Sequence, residues 1–97
     1  MKRHEFHLEA EVEMNAQADF YESRERGLGI RFLLAADAAI NRLKFDPQAR
    51  PTLTLELRRQ PVKRFPFHVL YLDEPDRIWI VAIAHYRWRD DYWLNRP

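Results

Sequence analysis

Apolar positions along the 97-residue chain change their spacing twice. At the start, HEFHLEA alternates polar and apolar residues, which sets Phe6 and Leu8 on one side and predicts a short strand. From about Ala10 the period lengthens. Val12, Ala16 and Phe20 recur at four-residue spacing, and Glu9, Glu11 and Glu13 lie where a helix N-terminus favours anions. This predicts a helix to about Arg26 with Phe20 and Tyr21 in the core. RGLG then supplies the only two glycines, Gly27 and Gly29, which suit a helix stop.

Phe32, Ala36, Ile40 and Leu43 form a second stripe, at spacings of four, four and three. Pro47 ends it, because a proline inside the helix would remove a hydrogen bond and clash with the preceding turn. Two helices joined by so short a turn form an antiparallel hairpin.

After Pro51 the pattern becomes that of strands. LTLELRR alternates, VKRF and FHVLYL follow, and RIWIVAIAHY is apolar on both faces, as a central strand is. DEPD is turn chemistry, so Phe67–Leu72 and Arg77–Ala84 are predicted to pair as an antiparallel hairpin. The fold class is α+β: an N-terminal strand, a helical hairpin, then a three-stranded antiparallel segment completing one sheet.

At this length residues 1–97 make a single domain, with 46% apolar residues to build its core. No apolar run approaches the roughly 20 residues of a membrane span, and MKRHEFH lacks the apolar segment of a signal peptide. With no cysteine there is no disulfide or thiolate metal site, which fits a cytoplasmic protein. His4 and His7 fall on opposite faces of the predicted strand and Asp90–Asp91 has no second acidic cluster, so neither metal nor cofactor is expected. Charge is uneven: no acid occurs between Glu56 and Asp73, whereas Arg58, Arg59, Lys63, Arg64 and His68 do. That stretch suits a polyanion, or is simply a solvated face.

The order of elements, with ADFYESRERGLGIRFLLAADAAINRLKFDP (18–47), VKRFPFHVLY (62–71) and IVAIAHYRWRDDYW (80–93), resembles the RelE/ParE toxin superfamily of bacterial type II toxin–antitoxin systems. The likeness spans nearly the whole chain. It implies a growth-arresting toxin held inactive by a cognate antitoxin in a hetero-oligomer. Some members of that superfamily are ribosome-dependent endoribonucleases that cut messenger RNA; others share the fold but poison DNA gyrase without catalysis. A degenerate member would keep only antitoxin binding.

RNA cleavage without a metal needs a base for the 2′-hydroxyl, charge stabilisation at phosphate and an acid for the leaving oxygen. By the resemblance, Arg87 falls at the arginine after the last strand and Tyr92 near a C-terminal tyrosine. Arg58, Arg59, Lys63 and Arg64 are the candidates for nucleic-acid binding. His68 stands where nucleases of this superfamily can carry arginine, and together with His85 it offers an acid–base pair if the strand register brings the two together. The blander readings are that His85 and Arg87 hydrogen-bond the sheet end, His68 is half-buried, and Tyr92 and Trp93 pack on the open face. Trp88 beside Arg89 is either a base-stacking platform or packing. Leu28 and Phe32 are the expected antitoxin anchors.

Overall fold

The structure, a computed structural model, describes residues 1–87 together with Trp93 and Arg96. Strand β1 (His4–Phe6) leads into helix α1 (Leu8–Arg24) and helix α2 (Leu28–Phe45), followed by β2 (Thr52–Thr54), β3 (Leu57–Pro61), β4 (Phe67–Asp73) and β5 (Ile78–His85). The strands form one sheet in the order β1-β5-β4-β3-β2. β1 runs parallel to β5 and the other neighbours are antiparallel. The α+β class and the helical hairpin match the sequence reading. Among the described residues no helix is long and apolar enough to cross a membrane.

The hairpin turn is built by both glycines. Gly27 takes φ 86°, left-handed backbone that side chains disfavour. The Glu22 carboxylate accepts from the Gly27 and Gly29 amides at 3.1 Å, placing an anion on the first turn of α2. Gly29 lies so close to α1 that a Cβ there would stand 2.6 Å from the Ala18 carbonyl oxygen.

α2 buries the predicted stripe: Phe32, Ala36, Ile40 and Leu43 are at most 2% exposed. α1 does not. Val12 is 58% and Phe20 47% exposed, and the core side is instead Ala10 and Ala18, with Met14 and Tyr21 packed beside them. Both stripes have helical spacing, so periodicity alone does not say which one the sheet covers.

Two further differences lie in the strands. LTLELRR is two strands rather than one, broken at Leu55 (φ 47°) and Glu56 (φ 65°). No glycine or asparagine marks that left-handed turn. VKRF is the β3–β4 turn, with Arg64 at φ 72°.

β5 is apolar on both sides because two clusters sandwich it. Towards the helices, Ile78, Ile80 and Ile83 join Phe67, Val69 and Tyr71 under Phe32 and Leu43. On the opposite face Leu57, Leu70, Val81, Ala82 and Ala84 are covered by Trp93, which is 4% exposed. A register shift between Leu70 and Tyr71, paired with Ala82 and Ile80, inserts Val81 as an extra residue and bends the strand.

Candidate functional site

The face turned away from the helices carries a cleft of about 180 Å³ at the end of β4 and β5. Leu53, Leu70, Ala84 and Trp93 form its apolar side, and Arg59, His68, His85 and Tyr86 its polar side. Register explains the grouping. Arg59 pairs with Leu70, Pro61 with His68 and His68 with Ala84, so these side chains share one face of the pleat.

The half-buried His68 ring lies over Tyr86, with centroids 4.3 Å apart and planes tilted by 38°. The Tyr86 amide donates to the Pro66 carbonyl at 3.0 Å, which draws the chain beyond β5 against the β3–β4 turn. Lys63 and Arg64, both exposed on that turn, and the exposed Arg87 are thereby held at the same end of the sheet as His68. Tyr86 was not singled out in the sequence. Its signal was alternation: it stands two residues after Ala84 and so returns to the same side.

His68 and His85 both line the cleft, but from different positions of the register: His85 is opposite Phe67 while His68 is opposite Ala84. The His85 ring stands edge-on to Phe67, with centroids 5.1 Å apart. Its Nδ1 accepts from the Arg87 amide at 3.0 Å, so a neutral His85 carries its proton on Nε2.

The basic residues divide by role. Arg58 pairs with Tyr71, and its guanidinium donates to the Gln48 side chain at 2.9 Å and to the Arg50 carbonyl. It therefore fastens the segment after α2, and of the expected basic group only Arg59 lines the cleft. Of the two expected antitoxin anchors, Leu28 is half-buried and available in part. Phe32 is fully buried against Phe65 and Phe67, so its side chain offers a partner nothing to touch. Trp93 packs on the open face as its sequence position suggested. Tyr92, Trp88, Arg89 and Asp90–Asp91 lie outside the described residues.

No family model matches the chain, and no curated protein does. Among solved structures the chain is similar to one described as "Chromosomal ParDE TA system from P. aeruginosa", with a TM-score of 0.63 and 20% identity, covering 88% of this chain and 96% of that one. At that identity the likeness establishes the fold.

Proposed function

We propose that this chain is the toxin of a type II toxin–antitoxin system, acting in the cytoplasm and arresting growth by cutting messenger RNA on the ribosome. The observation that carries the catalytic part is the cleft in which the cation Arg59 and the stacked His68–Tyr86 pair converge on an apolar floor. His68, an imidazole able both to accept and to donate a proton, is suited to move the proton of the 2′-hydroxyl or of the leaving oxygen. Arg59 is suited to offset the charge that builds on phosphate. Lys63, Arg64 and Arg87 would hold flanking phosphates. His85 is a positioning residue in this scheme, because it holds the Arg87 backbone. Tyr92 keeps the role of second proton carrier by its sequence position alone.

The fold likeness to a chain of a ParDE TA system, together with the withdrawal of Arg58 from the basic set, favours a second reading: a non-enzymatic inhibitor of DNA gyrase. Either form of toxin requires a cognate antitoxin, whose co-expression should rescue growth.

Purified chain added to a translation reaction, and separately to gyrase with supercoiled plasmid, tests the two. The nuclease reading expects defined cuts in ribosome-bound message that fall about 100-fold in His68→Ala and at least about 10-fold in Arg59→Ala and Arg87→Ala. Intact message together with trapped, cleaved plasmid would establish the gyrase reading. Unchanged growth on induction would leave only partner binding.

A further inference from the structure

A surface helix in a lone globular domain carries one apolar stripe, turned to its core. α1 carries two. Opposite the stripe on the core, Leu8, Val12, Ala16 and Phe20 repeat every four residues and face solvent, with Leu8 72%, Val12 58% and Phe20 47% exposed. Four-residue spacing is the ridge that another helix packs against. The neighbouring helix extends the surface, since Ile30 and Leu34 are 60% and 63% exposed one turn apart. Ile30 also lines a groove of about 330 Å³ between the helices, beside Ala18 and Asp19.

Charge selects the occupant. α1 has five carboxylates against one arginine, and that arginine, Arg24, lies over the Phe20 ring at 5.0 Å. Glu13 is held by Arg96 and Glu22 by the turn amides, which leaves Glu9, 3.7 Å from Arg96, with Glu11 and Asp19 exposed alongside the ridge. A second copy docked here would set carboxylates against carboxylates, and an anionic membrane would meet the same repulsion. A helix with an apolar stripe between lysines or arginines satisfies both ridge and charge.

We infer that the outer face of the helical hairpin, centred on Leu8, Val12 and Phe20, docks a cationic amphipathic helix of another protein. This surface is separate from the cleft and does not depend on the toxin reading. Where that reading holds, the antitoxin is the natural owner of the segment.

The test mixes the full chain with two synthetic helical peptides of about five turns. One has leucines at three- and four-residue spacing among lysines, and the other replaces the lysines with glutamates. Fluorescence anisotropy should show the lysine peptide binding at least about 10-fold more tightly, with affinity falling as salt rises. Val12→Ser/Phe20→Ser should weaken it at least about 10-fold while keeping the circular dichroism spectrum. Glu11→Lys/Asp19→Lys, at two exposed positions, should reverse the preference between the peptides. The inference is overturned by equal affinity for both peptides, by no binding of either, or by binding that neither variant alters. A dimer that Val12→Ser/Phe20→Ser dissolves, or adsorption through this face to phosphatidylglycerol vesicles, also overturns it. Cleavage and gyrase assays contain no peptide, so failure here and failure of the toxin reading are distinguishable.

Discussion

Glu13 and Arg96 meet in a two-point ion pair, Oε1 to Nη1 at 3.1 Å and Oε2 to Nη2 at 2.8 Å, and together they cover an open edge of the sheet. β1 pairs with β5 only as far as Ile80, and among the described residues no strand covers the edge beyond it. There the Ile83 amide donates to Glu13 at 3.1 Å, and Arg96 donates to the Val81 carbonyl at 2.9 Å. Two side chains thus stand in for a neighbouring strand and shield an edge that would otherwise be open to pairing with another chain.

Arg96→Ala strands a largely buried carboxylate and a backbone carbonyl at once, so a loss of about 3 kcal/mol is expected in urea unfolding. Glu13→Gln keeps an acceptor for Ile83 and should cost only about 1 kcal/mol. Hydrogen exchange at the Ile83 amide should quicken in the first variant more than in the second.

The two glycines of the hairpin should respond differently to alanine. At Gly29 the added carbon meets the Ala18 carbonyl oxygen at 2.6 Å, and backbone cannot step aside, so about 2–3 kcal/mol is expected. At Gly27 there is open space, and only the left-handed backbone is penalised, at about 1 kcal/mol. Thermal unfolding of both variants orders them.

Phe32→Ala empties the centre of the core and should cost about 4 kcal/mol. Phe20→Ala, on the outward stripe, should stay within about 0.5 kcal/mol. A larger loss at Phe20 than at Phe32 would contradict the orientation of α1.

His4 supplies a pH signature. Burial, and next the positive Lys44 whose Nζ lies 3.1 Å from Nδ1, hold its imidazole below the usual 6.5, with Asp37 opposing in part. The unfolded chain therefore takes up this proton first as pH falls, so the contribution is complete above 6.5 and is lost between that value and the lowered one. Asp37 and Lys44 are the charged groups facing the ring from α2. Stability should decline as pH drops below about 6.5, and His4→Gln should flatten that slope in urea titrations.

How far the sequence could be read varied with the signal each element carried. α2 was legible because it has one dominant stripe, and the hairpin because RGLG carries both glycines. α1 is ambiguous because two stripes of the same period compete, and burial depends on the sheet beneath. The turns at Leu55–Glu56 and Arg64 have no glycine to announce them. Within the site, alternation could put Arg59 and His68 on a common face only once their strands were correctly divided. His85 needed its register, and Glu13–Arg96 joins positions 83 residues apart that no local pattern connects.

The pairing of β1 with β5 has a consequence in time. His4 pairs with Ile78, so the edge strand β1 awaits a partner strand made more than seventy residues later. Chains fold progressively as they emerge from the ribosome, and such distant pairings form slowly. The helical hairpin, with its outward apolar ridge and flanking carboxylates, is made well before β4 and β5 bring His68 beside Tyr86. A partner that recognises the hairpin would therefore find its docking surface on the nascent chain before the cleft beside His68 is built.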